Sequence, residues 1–373
     1  MKTPKNTSLE AVRGLAAIVV VLWHCCVGFL PRYTGVFQQY AAHTWQGNPL
    51  FFLINGPSAV YLFFVLSGYV LTRTYLASGD TTLLLKATIK RWPRLVGPVL
   101  ATIFCSYFFF KANFYAFEEA GKLSGSPWLV KFAYAYDIPP LVSLWDALKQ
   151  GLFFVFFRGD SYYDSSLWTM RPEFIGSFIA FGMAPVMLEA RKKSTELVVI
   201  VATTIALLTH FAMPSLVAFP IGVLIATILP NNKIISKWAA YGMLFLAFYL
   251  LGYSGNDRGA YSIFALLPFH EAFSIYPAIL SGTILICLVE TFPPLRRLLS
   301  GPISRWLGEY SFPVYLLHVL IICSLGSTVY LTYGSALAIF SVLVATPIAA
   351  FPLLVFNRKW VAMVNRAVGA LVK

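Results

Sequence analysis

The stretch "GLAAIVVVLWHCCVGFL", residues 14–30, has seventeen residues, one histidine and no Asp, Glu, Lys or Arg. Its backbone polar groups have to be satisfied within the segment if lipid surrounds it, so it predicts a membrane-crossing helix. It is too long, and too free of an A-x-A cleavage site, to be a removed signal peptide. Apolar runs of similar kind recur along the chain. Ten candidate spans follow, at roughly 12–30, 56–76, 94–111, 173–189, 197–213, 215–230, 238–253, 275–291, 310–330 and 335–356. Only "MPS" separates the fifth from the sixth, which predicts a tight hairpin. The fold class expected is all-α, a polytopic transmembrane helix bundle.

Composition agrees. Of 373 residues 58% are hydrophobic and 12% charged, against about 25% charged in soluble domains. The 32 Phe and 20 Tyr suit aromatic belts. The ten-residue alternation of a barrel strand is absent from the sequence. Residues 1–373 read as one membrane-embedded domain without repeats or an appended soluble domain. Its longest connection, 112–172, contains "LVSLWDALKQGLFFVFF" (141–157). Asp146 and Lys149 make this an interfacial or re-entrant helix rather than an eleventh span. The five cysteines, Cys25, Cys26, Cys105, Cys287 and Cys323, fall in apolar stretches without CxxC or Cys/His clustering. They indicate core packing, with neither disulfides nor a metal site.

Charge orients the bundle. With the N-terminus inside, the cytoplasmic segments (the N-terminus through Arg13, 72–94, 189–196, 231–237, 290–309 and 357–373) hold 20 of the 28 Lys and Arg residues. Six of the 15 acidic residues lie on that side. An even number of spans puts both termini in the cytoplasm. The net charge of +13 thus reflects topology and attraction to the anionic leaflet, not nucleic-acid binding.

Polar residues inside or at the ends of spans are the functional candidates, because burying an ionisable group in a bilayer is costly. Arg13 and His24 are eleven positions apart, about three helical turns and about 16 Å, so they share one face. His24 is either a packed neutral histidine or a base that takes a proton from a hydroxyl. In "FFVLSGYVLTR" (63–73), Ser67-Gly68 permits close approach of a ligand or of another helix, and Arg73 emerges at the cytoplasmic end. "KRWPR" (90–94) sets Lys90, Arg91 and Arg94 beside Pro93. The cluster suits phosphate or plain positive-inside topology. In "SLWTMRPEF" (166–174) Trp168 marks an interface, and Arg171 and Glu173 lie at the outer mouth of the fourth span. They form either a surface pair or a group that orients an imidazole or holds sugar hydroxyls. In "YSFPVYLLH" (310–318), Tyr310 and Ser311 precede His318, at a depth comparable with His24. These three residues complete a candidate polar cavity.

"LEAVRGLAAIVVVLWH", "FFVLSGYVLTR", "RWPR", "SLWTMRPEF" and "YSFPVYLLH" together, in this order over residues 9–318, resemble the acyltransferase family 3 of integral membrane O-acyltransferases. Arg171-Pro172 departs from the small or apolar residues usual there. The resemblance implies transfer of an acyl group, commonly acetyl from acetyl-coenzyme A, to a sugar hydroxyl of O-antigen or another bacterial surface polysaccharide. It places the chain in the bacterial cytoplasmic membrane. Many members carry an SGNH-type domain, and this chain resembles the stand-alone kind. Combined with the residue reading, His24 and Glu173 become the catalytic candidates. Arg13, Arg73, Arg91, Arg94, Ser67 and Gly68 become the coenzyme A-binding candidates. The expected partners are membrane lipids, acyl-CoA and a polysaccharide or glycolipid acceptor, with no metal. Two further readings stand beside this one. The first is O-acylation of a small hydroxylated molecule or lipid-linked precursor. The second is a proton-coupled transporter, for which the missing internal repeat is unfavourable.

Overall fold

The computed structural model describes residues 7–37, 44–132, 142–229, 234–266 and 274–372. Residues 133–141 of the long connection, and the parts of the charge-bearing segments at 1–6, 231–233 and 373, lie outside the described residues. All regular structure among the described residues is helical. Ten principal helices carry the fold: α1 (Thr7–Phe29), α2 (Gly56–Ser78), α3 (Arg91–Lys111), α4 (Met170–Lys193), α5 (Thr195–Ala212), α6 (Ala218–Ile228), α7 (Lys237–Leu251), α8 (Tyr276–Thr291), α9 (Pro302–Ile321) and α10 (Ser335–Leu371).

Seven helical stretches among the described residues are long and apolar enough to cross a membrane. They are Thr7–Phe29, Gly56–Ser78, Thr81–Lys111, Ser165–Lys193, Thr195–Ala212, Pro302–Tyr333 and Ser335–Leu371. The stretches holding α6, α7 and α8 are shorter, at 10–17 residues, and their ends explain why. Extended Leu229 stops α6, Ser236 caps the start of α7, and α8 runs from a proline-containing first turn to extended Phe292. Helices α5 and α6 form the expected hairpin, joined by the 3₁₀ turn Pro214–Val217.

Helices α1, α2 and α9 make the centre, α1 packing on both α2 and α9, and α2 also on α4, α6 and α8. Glycine allows the closest approaches, as expected where helices associate by van der Waals contact rather than by expelling water. A Cβ at Gly14 would lie 2.5 Å from Leu307 Cβ, and one at Gly308 would lie 2.4 Å from Glu10 Cβ. Away from this centre the helices turn large apolar side chains outward, with Phe211 82%, Phe245 76% and Ile348 68% exposed. A lipid environment gives such surface its solvent.

Two elements matter for the site. The segment expected as an interfacial helix breaks into Leu144–Lys149, a π-helical turn at Gln150–Phe154, and Val155–Phe157. It lies on α3, where Trp92 Nε1 donates to Leu152 O at 3.2 Å. Asp146 accepts from the Tyr162 hydroxyl at 2.5 Å. Helix α10, 37 residues, is about 55 Å long, well beyond the roughly 20 residues a bilayer needs. Its far end returns to α3, with Trp360 Nε1 donating to Pro93 O at 2.7 Å. Cys25, Cys26 and Cys323 are buried and Cys287 half-buried, but Cys105 is exposed on the flank of α3, so packing accounts for only four of the five.

Candidate functional site

A cavity of about 590 Å³ opens among α1, α2, α3, α4, α9 and α10. Its charged lining comes from helix ends. Glu10 and Arg13 lie in the first two turns of α1, Arg91 and Arg94 in the first turn of α3, Glu309 near the start of α9, and Arg358 on the overhang of α10. Further in, it is lined by Ser67 from the middle of α2, by Thr169 and Glu173 at the head of α4, and by Ser311 and Tyr315 of α9.

The sequence reading set Glu173 at an outer mouth, away from Arg91. The structure brings them together. Arg91 Nη2 pairs with Glu173 Oε1, their side chains 8% and 16% exposed, and Ser67 Oγ donates to the same oxygen at 2.9 Å. Thus α4 begins inside the bundle, against the middle of α2, rather than at its rim. Arg171, the alternative partner of Glu173, turns away and donates to Arg158 O at 3.3 Å. Glu173 does not orient His24, because its hydrogen bonds go to Ser67 and Arg91.

His24 has a different partner. His318 Nε2 lies 3.0 Å from His24 Nδ1, and the rings are 4.9 Å apart. The tautomers follow from the surroundings. His318 Nδ1 faces the Tyr315 carbonyl at 2.6 Å, so it bears the proton and Nε2 is an acceptor. His24 Nδ1, which also faces the Val20 carbonyl at 3.0 Å, is then the N–H donating to His318. This leaves His24 Nε2 as a lone pair with no hydrogen bond among the described residues. Trp128 stacks on the His24 ring at 5.3 Å and 30°, holding it in plane.

Tyr315 joins the two parts. Its hydroxyl donates to Ser166 O at 2.9 Å and lies 2.9 Å from Thr169 Oγ1. Its ring lines the cavity, and its carbonyl sets the tautomer of His318. Just beyond lies Asp164, fully buried, whose Oδ1 caps Ser166 N at 2.9 Å while Oδ2 has no partner. Burial, opposed by the bonds from Ser166, pushes its carboxyl up to about 7.

Other sequence candidates stand apart. Arg73 pairs with Glu290 at 3.3 Å and lies over the Tyr69 ring at 5.4 Å, outside the cavity lining. Gly68 serves helix packing, since a Cβ there would lie 2.3 Å from Phe219 O. Trp168 is 43% exposed and away from the cavity. Tyr310 lines a second, smaller cavity of about 180 Å³ beside Trp306, which Ser311 also touches. Sequence reasoning missed Glu10, Thr169, Glu309, Tyr315, Arg358 and Trp128. Only Glu10 carried a local signal, three residues before Arg13 on one helix face.

In chemical terms the site offers guanidinium groups in the cavity lining and, behind Tyr315 and outside that lining, a histidine whose Nε2 has no hydrogen-bond partner among the described residues. No curated protein and no solved structure matches the chain. The profile of the acyltransferase domain of acyltransferase family 3 matches residues 6–355, and the chain belongs to that family of membrane acyltransferases.

Proposed function

We propose that the protein is an O-acyltransferase that moves an acyl group, acetyl in the first instance, from cytoplasmic acyl-coenzyme A to a sugar hydroxyl of O-antigen or another surface polysaccharide in the bacterial cytoplasmic membrane. The observation that carries this reading is the arginine-lined cavity, whose lining residue Tyr315 also contacts His318, the partner of His24. Ten crossings with both termini in the cytoplasm put Arg13, Arg91 and Arg94 on the side where coenzyme A is available. Guanidinium groups suit its phosphates, offering bidentate donors to anionic oxygens. A volume of about 590 Å³ lies within the roughly 300–1,000 Å³ typical of small-molecule sites.

The acyl thioester arm extends past Ser67 toward Tyr315. His24 Nε2 takes the proton of the acceptor hydroxyl as its oxygen attacks the thioester carbonyl. The C–S bond then breaks, and the coenzyme A thiolate leaves with the proton returned by His24. His318 keeps Nδ1 of His24 protonated, so Nε2 is the nitrogen that gains and then returns the proton. Arg91 and Glu173 fix the floor of the cavity, and Ser67 fixes the carboxylate. The long connection, which supplies Trp128 and Asp164, is our candidate for acceptor choice.

The test compares O-acetyl signals of surface polysaccharide by NMR in a deletion strain complemented with wild type or His24→Ala at matched membrane levels. Signals restored by wild type alone support the reading. Equal restoration by both removes His24 from the mechanism. Unchanged polysaccharide, with acetyl found on a lipid-linked precursor, moves the acceptor to that smaller molecule.

A further inference from the structure

Four arginines line the main cavity, and three of them already have carboxylate partners. Arg13 Nη1 lies 3.2 Å from both Glu10 oxygens, Arg91 pairs with Glu173, and Arg358 pairs with Glu309. Arg94 alone has no ion-pair partner among the described residues. The cavity therefore stands near a charge of +1, little for a ligand with a diphosphate and a further phosphate.

The three pairs are unequal. Arg91 and Glu173 are buried at 8% and 16% side-chain exposure, and separating them would strand charges in a low dielectric. Arg358 and Glu309 are 58% and 29% exposed, the regime in which an ion pair is weak and readily exchanged. They also sit on different elements, Glu309 on α9 and Arg358 on the overhang of α10. Arg358 lies beyond the residues, 6–355, that match the family profile.

We infer that Arg358 is a further phosphate-binding residue for the donor, held by Glu309 as an exchangeable counter-ion until the donor arrives. This rests on the reading of coenzyme A as the donor. A phosphate displaces the Glu309 carboxylate from the guanidinium, and Glu309, itself 29% exposed, is released toward water. The Arg91–Glu173 pair stays closed during the exchange and keeps the cavity shape. Arg13 and Arg94 contribute to the same anion. Asn357, beside Arg358 in the lining, adds an amide donor.

The experiment is calorimetric titration of coenzyme A into the full chain in phosphatidylcholine nanodiscs, for wild type, Glu309→Gln, Arg358→Gln and the double variant. Removing the competing carboxylate is expected to tighten binding about three-fold in Glu309→Gln, the scale of an exposed ion pair. Arg358→Gln weakens binding, and in its presence Glu309→Gln gives no gain. The gain is also expected to shrink at high salt. If Glu309→Gln binds as wild type does or more weakly, Glu309 is a structural partner only and the inference fails. If anionic headgroups are the true ligand of Arg358, all four proteins bind coenzyme A alike in phosphatidylcholine, which also overturns it. If wild type itself does not bind coenzyme A, the donor reading fails first, so the two failures are distinct. Matched melting temperatures across the four proteins exclude misfolding as the source of any difference.

Discussion

His318 Nε2 lies 3.0 Å from Nδ1 of His24, although 294 residues separate them. One histidine thus does for another what a carboxylate does in the familiar triad, fixing which ring nitrogen is free. His24→Ala is expected to lower acyl transfer by about 10²–10⁴-fold, the usual range for a general base. His318→Gln is expected to lower kcat less and to leave KM for the acyl donor unchanged, because His318 touches His24 and not the cavity. Steady-state kinetics on purified protein in nanodiscs separate the two constants. A raised donor KM in His318→Gln would assign it to binding instead.

Arg91 and Glu173 form the buried pair of the cavity. Removing either partner strands the other, at a cost of about 3–5 kcal/mol. Arg91→Ala and Glu173→Ala are each expected to melt well below wild type in detergent. The double variant should melt above the lower of the two. Simple additivity of the two losses would show that they do not act as a pair.

How much of this was legible in the sequence varies from residue to residue. The helical class and the apolar segments were, because uninterrupted hydrophobicity has few structural outlets. The co-location of His24 and His318 was foreshadowed by similar depth, yet depth says nothing about azimuth, which depends on packing at Gly14 and Gly308. The position of Glu173 was misread because α4 was taken to begin at the rim. Its start is set by Ser67, Arg91 and the loop capped by Asp164, all distant in sequence. Arg358 and Glu309 looked like ordinary end-of-span charges, and only the length of α10 brings them together.

Gly68 tests the reassignment from ligand approach to helix packing. A methyl added there would lie 2.3 Å from Phe219 O of α6, and one at Gly222 would lie 2.2 Å from Val65 O of α2. Backbone cannot rotate away as a side chain can, so Gly68→Ala and Gly222→Ala are each expected to cost about 1–3 kcal/mol. Thermal unfolding should show both destabilised. Among molecules that remain folded, donor KM should be unchanged.

Asp164 supplies a pH dependence whose sign can be worked out. Burial raises its folded carboxyl to about 7, above the unfolded value of about 3.9. The folded state therefore binds more protons than the unfolded chain between those values. The stabilisation from this group is full below about 4 and is lost as pH rises through 7. Wild type should gain more melting temperature than Asp164→Asn on going from pH 7.5 to pH 5. Asn retains the oxygen that caps Ser166 N, so parallel pH profiles would show that Asp164 is not the source.

Arg94 and Arg73 separate cavity charge from topological charge. Arg94 lines the cavity without an ion-pair partner among the described residues, whereas Arg73 is engaged with Glu290 outside it. Glu290 also holds Arg296 at 3.0 Å, so removing Arg73 leaves no lone carboxylate behind. Hydrogen bonds to a charged group are worth about 1.5–3 kcal/mol, so Arg94→Ala should raise donor KM by roughly ten-fold or more. Arg73→Ala should leave it within about two-fold, the scale of an exposed pair. A low-salt titration makes the contrast larger, because screening of the cavity is weakest there. Equal effects of the two substitutions would mean that net positive charge on this face, rather than the cavity, attracts the donor.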